Sequence, residues 1–198
     1  MRTRREAGEG LVGKYEDIRD AALDIMSESG IRALTLPLLF ERAHTGAGTF
    51  YHYFKDREDL IDAVFVYCYN VAVRELADTD NPEAPVRQRF DDLCHHMFHA
   101  YVAYPQELNF LYWHTFGYVE PDVSYCRVIP SVMLLTSIID AAQKEGLVRT
   151  TAAPSVMARV VRGMVASVFW GHQRDAYVMD DDAAQRFANS AWRAIEDF

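Results

Sequence analysis

The residue types best suited to recognition chemistry lie together between positions 46 and 60. Gly46, Ala47 and Gly48 are small, and an aromatic run over 50–54 and the cation Lys55 follow them. A helix N-terminus attracts phosphate through its free N–H groups and its dipole, and small residues there allow close approach. The pattern predicts a short helix that lies against a DNA backbone.

Individual positions of this helix can be given roles from their side chains. Ala47 and Gly48 are too small to hold the helix away from a groove floor, and Ala47 can touch a thymine methyl group. Three longer side chains can donate hydrogen bonds to base edges or phosphates: Thr49, Tyr51 and His52. Phe50 and Phe54 are spaced by four and are expected to pack inward, whereas Tyr53 fits either side.

The elements around this helix are predicted from hydrophobic periodicity and capping residues. Apolar residues recur at three and four over 14–29, which predicts a helix ended by Gly30. Thr35 is a suitable N-cap for a second helix to about 43, and its position still exposes a backbone N–H to phosphate. A turn at 44–46 precedes the third helix, 47–54, and Asp56 caps a long fourth helix that ends near 78. Three short helices with a tight turn before the third form a helix-turn-helix arrangement.

Helical periodicity continues through the rest of the chain. A linker is predicted over 78–85 and a loop over 117–122. Further helices are predicted over 86–104, from 105, over 123–145, over 154–174, and from 180 or 181 to 198. The predicted fold class is all-α with about nine helices, and no strand pattern or internal repeat is evident.

Charge and composition narrow the classes of function. The net charge of −9 argues against bulk attraction to nucleic acid. Residues 1–60 carry nine Lys and Arg against eleven Asp and Glu, a net charge of −2. DNA binding must therefore depend on where individual cations point, with Arg2, Arg4 and Arg5 as a candidate flexible arm; a disordered charged start is an equally good interpretation.

The sequence also indicates the cellular location of the protein and the redox state of its cysteines. No apolar run is long enough for a membrane span, and no secretory signal is expected at the charged N-terminus. Cys68, Cys94 and Cys126 have neither zinc-motif nor disulfide-framework spacing. We expect a cytoplasmic protein.

The stretch from Gly46 to Leu60 resembles the signature of TetR-family transcriptional regulators, Gly/Ser-x-Gly-Thr-aliphatic/aromatic-Tyr-x-x-Phe-x-x-Lys-Glu-x-Leu. The resemblance covers about 14–65. It implies a DNA-binding domain over 1–60 and a helical ligand-binding and dimerisation domain over 61–198. It places Lys55 where relatives hold a phosphate. It also implies a homodimer on a palindromic operator, released from DNA by a small molecule, with repression as the commoner outcome.

The chain departs from that signature at several positions. His44 stands where a turn glycine is usual, and His tolerates positive φ only modestly. Phe40 replaces a customary alanine, which changes how the second helix packs. Pro37 and Leu38 replace residues that are often polar or basic, and Arg57 replaces a lysine with its charge kept.

The second half contains an unusual density of aromatic residues over 101–118. Rings of this kind line pockets for apolar or aromatic ligands, although each one alone more often fills a core. By analogy with the family we expect an effector pocket among six residues: Tyr101, Phe110, Trp113, His114, Met133 and Phe169.

Two further patterns concern metals and assembly. His95 and His99 lie one helical turn apart, but no carboxylate at helical spacing completes a metal set, so a half-buried amphipathic face is the preferred interpretation and no metal or cofactor is predicted. A dimer interface is expected, by analogy, from apolar and small residues of the last two helices. Its candidates are Val156, Val160, Gly163, Met164, Ser167, Val168, Trp170, Gly171, Phe187, Ala191, Trp192 and Ile195. An intramolecular core would use the same residues.

Enzymatic activity is not expected. The chain has no nucleophile elbow, phosphate loop or zinc spacing, and no paired carboxylates in a plausible setting. The alternative function is a helical module that binds a small molecule or a partner without binding DNA.

Overall fold

The computed structural model describes residues 13–77, 79–111, 130–172 and 178–196. Within these ranges the chain forms nine α-helices and one 3₁₀ turn, with no strand, which confirms the all-α prediction. The helices are α1 Lys14–Ser29, α2 Leu36–Arg42, α3 Ala47–Tyr53, α4 Arg57–Leu76, α5 Val86–Ala103, α6 Pro105–Asn109, α7 Pro130–Lys144, α8 Pro154–His172 and α9 Asp181–Glu196. The 3₁₀ turn, Ile31–Ala33, lies between α1 and α2.

The ends of α1 and α4 follow from local chemistry, as predicted. Gly30 ends α1 with a φ of 82°, a left-handed conformation that glycine adopts without steric cost. Asp56 begins α4, and its side chain accepts a hydrogen bond from the Asp59 amide at 2.8 Å. The Asp59 carboxylate in turn accepts from the Lys55 amide at 2.8 Å. The first bond satisfies a donor that the first turn of the helix cannot bond internally, and the second satisfies the amide just before the cap.

One hydrophobic core runs from α1 to α9. At the centre, α5 packs against α4, α7 and α9. Phe90 and Phe98 of α5 meet Trp192 and Phe187 of α9, with ring centroids 5.2 Å apart in each pair. The aromatic residues of the last helix thus hold it against the middle of the molecule.

The α4–α5 linker is fixed by an ion pair. Asp80 accepts hydrogen bonds from Arg89 Nε at 2.7 Å and Nη2 at 2.8 Å. Arg89 is buried, and the hydrogen bond to Asp80 raises the pKa of its guanidinium. The linker was predicted; the arginine that anchors it was not.

The predicted domain boundary at residue 60 falls in the first turn of α4, which continues without interruption to Leu76. Residues of α6 also reach back to the N-terminal helices. Gln106 Nε2 donates to Asp24 Oδ1 at 3.0 Å, and the Tyr67 hydroxyl donates to Glu107 at 3.3 Å. The division into domains stays a prediction, and the two parts share contacts through α4 and α6.

Several predicted features lie partly or wholly outside the described residues. They are the arm residues Arg2, Arg4 and Arg5, the loop 117–122, the start of the predicted helix 123–145, Cys126, and residues 173–174 and 197–198. Cys68 and Cys94 are free and buried, and burial raises the pKa of both thiols well above the usual range. No helix in the described part of the chain is long and apolar enough to cross a membrane.

Candidate DNA-binding site

The turn between α2 and α3 is a Schellman motif with a histidine at its left-handed position. The Thr45 amide bonds the Phe40 carbonyl at 3.0 Å, and the His44 amide bonds the Glu41 carbonyl at 3.3 Å. His44 has a φ of 46° and is the single non-glycine residue with positive φ among those described. The motif requires this conformation, so the side chain at 44 is accepted at a conformational cost.

The α3 helix divides cleanly into a buried and an exposed side. Phe50 is 0% exposed and Phe54 3%, so both pack inward as predicted. Phe40, half-buried on α2, meets the Phe50 ring at 5.7 Å and fills the space where a smaller residue would leave a gap. Tyr51 is 58% exposed on the opposite side.

The predicted DNA-contacting residues lie on or beside that exposed side. Ala47, Gly48, Tyr51, His52 and Lys55 are exposed, and Thr49 is half-buried. The structure therefore brings these predicted residues onto one short surface, which we call the α3 face. Tyr53 is half-buried and packs edge-on against Tyr15 at 6.0 Å.

Gly48 is not required by the packing of the chain itself. A Cβ atom built on Gly48 or Gly46 would meet no heavy atom within 4 Å. Glycine within a helix costs roughly 0.5–1 kcal/mol relative to alanine. The packing of the chain itself therefore does not explain glycine at position 48.

Thr35 lies at the N-cap of α2 and is exposed, but its hydroxyl makes no capping hydrogen bond. This corrects the expectation that the side chain caps the helix. A cap bonds the amide of the second or third helical residue, and Pro37, the second, has no N–H. The Thr35 hydroxyl is consequently available to a ligand.

Within the described residues 13–60, four of the six lysines and arginines are committed to contacts inside the chain. Lys14 pairs with Asp17, Arg19 with Asp20 and the Tyr67 ring, and Arg42 with Glu28. Arg57 donates to the Leu34 carbonyl at 2.6 Å and the Ile31 carbonyl at 2.7 Å, and it also pairs with Glu58. The signature's conserved charge at position 57 is thus used to anchor the 3₁₀ turn to α4.

Two exposed cations remain within residues 13–60, where the structure records no ion pair for either. One is Lys55, the predicted phosphate contact. The other is Arg32 on the 3₁₀ turn, which the sequence analysis did not select. Its position three residues before Thr35 could have marked Arg32 as a candidate DNA contact. Sequence alone could not separate it from the four committed cations, because only the structure shows that those are paired.

The residues predicted to hold an effector are placed in different environments. Tyr101 and Phe169 are fully buried and stacked, with ring centroids 3.8 Å apart. The Tyr101 hydroxyl donates to the Phe169 carbonyl at 3.0 Å and accepts from Asn109 Nδ2 at 2.8 Å. Phe110 is buried, whereas Met133 is 57% exposed in a surface groove between α7 and α8.

Trp113 and His114, the other two predicted effector residues, lie outside the described residues. A cavity of about 10 Å³ borders this part of the chain. It is lined by Ala72, Glu75, Leu76, Met97, Ala100, Leu108, Leu111 and Ser131. That space is enough for one water molecule at most, so these walls alone enclose no effector.

The two predicted halves of the dimer interface differ. The predicted interface residues of α9 are buried inside the chain: Phe187, Ala191, Trp192 and Ile195. The prediction that they form a dimer interface is wrong, because they belong to the intramolecular core. The same apolar periodicity fits a dimer interface and an intramolecular core. In the structure these residues pack inside the chain, where α9 meets α5. On α8 the predicted residues are exposed or half-buried, with Val156 47% and Trp170 42% exposed.

The histidine pair of α5 has a partner that the sequence analysis missed. His95, His99 and Asp181 place ligand atoms within 4.8 Å of one another. The carboxylate comes from α9, so spacing along α5 could not show it.

Comparison with known proteins agrees with this geometry. The family model described as bacterial regulatory proteins of the tetR family matches residues 18–64, from α1 through the first half of α4. The uncharacterised HTH-type transcriptional regulator YvdT of Bacillus subtilis is 40% identical over 52 residues, which span 26% of this chain and 27% of that protein. The similarity thus covers about a quarter of that relative's length.

Solved structures extend the likeness over most of the fold. A regulatory protein of the tetR family from Rhodococcus RHA1 matches with a TM-score of 0.79 at 16% identity, over 92% of this chain and 96% of that one. Residues 18–64 of the chain thus match the TetR family, and the solved structure shares the overall fold. AibR, in complex with isovaleryl coenzyme A and operator DNA, matches the fold of this chain with a TM-score of 0.75 at 15% identity, over 92% and 98% of the two chains. A TetR-family protein from Vibrio parahaemolyticus matches at 0.68 and 22% identity, over 92% and 98%.

The matched residues 18–64 include α2, the Schellman turn and α3, which form a helix-turn-helix motif with the α3 face on its outward side.

Proposed function

We propose that this protein is a homodimeric transcriptional repressor that binds a palindromic operator through the α3 face and leaves it when a small apolar or aromatic effector binds. The observation that carries the proposal is the division of α3. Phe50 on α3 and Phe54 just after it are buried, and small residues and the hydrogen-bond donors Tyr51 and His52 are exposed. Such a helix fits a major groove without steric obstruction.

Base choice is assigned to the longer side chains of the α3 face. Thr49, Tyr51 and His52 reach base edges or phosphates, while Ala47 and Gly48 set the depth of approach. A phosphate contact at the start of α2 is assigned to the Thr35 hydroxyl, and the absence of a cap bond to this hydroxyl supports the assignment.

Affinity is assigned mainly to Lys55, with Arg32 as a second unpaired cation. With about four phosphate contacts per subunit, the log-affinity of a dimer falls with log salt at a slope of roughly −7. Removing one contact per subunit makes the slope shallower by about two units.

The test is a salt titration of binding to the DNA upstream of the protein's own gene. Lys55→Ala is expected to reduce the slope by about two units. Lys144→Ala is the matched control, because Lys144 lies at the end of α7 and pairs with Asp140. Equal slopes for Lys55→Ala and the original protein would exclude Lys55 as a phosphate contact.

The dimer is assigned to the exposed stripe of α8. Val156, Val160, Gly163, Ser167 and Trp170 follow one another at intervals of four and three. This is the spacing of a helix seam that packs against another helix. A Cβ on Gly163 would meet no heavy atom within 4 Å, so a mid-helix glycine has no internal explanation and would permit close approach of a second copy.

Light scattering of Gly163→Glu tests the interface. The expected result is a monomer, because two carboxylates would meet near the two-fold axis. Val73→Glu, on an exposed residue of α4, is the control and stays a dimer. A dimeric Gly163→Glu would contradict the assignment. The two-fold axis would set recognition helices roughly 34–36 Å apart on the operator.

The effector is assigned to the region around the aromatic run over 101–118. That AibR, of similar fold, was solved with isovaleryl coenzyme A supports a small-molecule role for the larger domain. The assignment is tested with a thermal-shift panel of aromatic and fatty acids, followed by a DNA-release assay. An effector is expected to stabilise the protein and to release it from DNA. If no upstream DNA binds under any condition, the protein is instead a small-molecule or partner-binding module.

A further inference from the structure

We propose that His95, His99 and Asp181 bind a divalent transition-metal ion of the zinc class at the seam between α5 and α9. We call this set of side chains the seam site. It lies away from the α3 face and does not depend on DNA binding.

The geometry of the seam site suits such an ion. His95 and His99 lie one turn apart on the same side of α5, and Asp181 faces them from the first turn of α9. One ligand atom from each lies within 4.8 Å of the other two. Ligands of a tetrahedral zinc ion are separated by roughly 3.4 Å, so small side-chain rotations complete the set.

Existing hydrogen bonds already orient these ligands. His99 Nε2 and Asp181 Oδ1 lie 2.7 Å apart, the geometry of a ring N–H donating to a carboxylate. An ion bound between these two atoms would replace that hydrogen bond, with the imidazole proton carried on Nδ1. His95 Nε2 lies 3.1 Å from Gln185 Oε1. Gln185 is one turn beyond Asp181, so its amide oxygen is a fourth ligand or an orienting partner.

Access and charge favour a cation here. His99 and Asp181 are exposed and His95 is half-buried, so an ion can enter from solvent. Asp180 and Asp182 flank Asp181, in a chain of net charge −9. His96, next to His95 in sequence, is directed elsewhere, with Nδ1 2.9 Å from the Asp92 carbonyl oxygen.

The donor set predicts the class of metal. Two imidazoles and a carboxylate suit zinc, nickel, cobalt and copper ions, whereas magnesium and calcium prefer oxygen ligands alone. Because the ligands come from two helices, a bound ion ties the start of α9 to α5 and raises the melting temperature of the protein.

The experiment titrates Zn²⁺ into the EDTA-treated full-length protein against a chromophoric chelator and follows melting in parallel. The expected result is one Zn²⁺ per chain with a raised melting temperature, and no response to Mg²⁺. His99→Ala is expected to weaken binding by about 100-fold, and Gln185→Ala by roughly 10-fold.

His96→Ala is the matched control, since it removes a neighbouring exposed histidine that is not in the site. It is expected to bind Zn²⁺ like the original protein. Melting without metal shows whether each variant is folded. Absence of binding at micromolar Zn²⁺, or equal losses in His99→Ala and His96→Ala, would overturn the proposal.

Discussion

Two aromatic clusters that look alike in sequence are used in opposite ways. In α3, Phe50 and Phe54 are buried, but Tyr51 is 58% exposed beside exposed His52. In the C-terminal half, Tyr101 and Phe169 are both 0% exposed and stacked, and the Tyr101 hydroxyl is bonded on both sides. The α3 cluster has an outward face, whereas the described Tyr101–Phe169 pair is buried on all sides.

The difference teaches that ring density alone does not locate a binding surface. The clusters differ in the residues that neighbour the rings. The α3 helix carries alanine and glycine at its start, with open space where a Cβ of Gly48 would lie, and a lysine without an ion pair follows it. Beside the stacked pair lies a buried amide, Asn109, which donates a hydrogen bond to the Tyr101 hydroxyl.

The sharpest way to break the comparison is to truncate one tyrosine of each cluster. Tyr101→Ala removes a fully buried ring and is expected to cost about 3–5 kcal/mol of unfolding free energy. Tyr51→Ala is expected to change stability by no more than about 0.5 kcal/mol and to weaken DNA binding. Urea denaturation of both variants measures this. A small loss for Tyr101→Ala would mean that the stacked rings are loosely held, as the wall of an effector pocket would be.

A second test contrasts two neighbouring cations. Arg57→Ala removes charged hydrogen bonds to the Leu34 and Ile31 carbonyls and is expected to cost about 1.5–3 kcal/mol. Lys55→Ala, two residues away and exposed, is expected to leave stability within about 0.5 kcal/mol. If chemical denaturation gave equal losses, Lys55 would hold the fold together and its assignment to DNA would fail.

A smaller effect is expected at the turn that aims the α3 face. His44→Gly relieves a left-handed side chain and is expected to raise stability by up to about 1 kcal/mol. Thr45→Gly is the control, because position 45 has no positive φ and glycine there only adds freedom to the unfolded chain. The pair of urea midpoints should move in opposite directions; movement in the same direction would contradict strain at His44.

The smallest effect concerns the exposed pair between α1 and α2. A hydrogen bond from Arg42, with its charge, lowers the pKa of Glu28 below 4.5. A carboxyl whose pKa is depressed by folding adds stability above its unfolded pKa and loses it as pH falls through the folded value. The stability difference between the original protein and Glu28→Gln should therefore be present at neutral pH and disappear in the acid range below 4.5. A difference that persisted there, or grew, would show that Arg42 is not the cause.

The parts of the fold that could be predicted from the sequence are those determined by interactions between residues close together in the chain. The bounds of α1, the Asp56 cap and the inward Phe50 and Phe54 depend on neighbours within a few residues, and capping and periodicity report such neighbours directly.

What sequence could not predict depends on which element lies opposite. Periodicity marks the apolar side of α9 but not whether α5 or a second subunit covers it. Arg57 reaches carbonyls 23 and 26 residues away, and Asp181 meets a histidine 82 residues away. Tertiary packing alone brings those groups together.

The unbroken α4 helix has a mechanical consequence. Its 20 residues span roughly 30 Å, from Arg57, bonded to the turn before α2, to Leu76 in the hydrophobic core. A rigid rod of that length converts a tilt of about 4° at one end into a displacement of roughly 2 Å at the other. Since a hydrogen bond to a base edge fails over a smaller distance than that, a rearrangement too slight to disturb the core could still move α3 out of register with DNA.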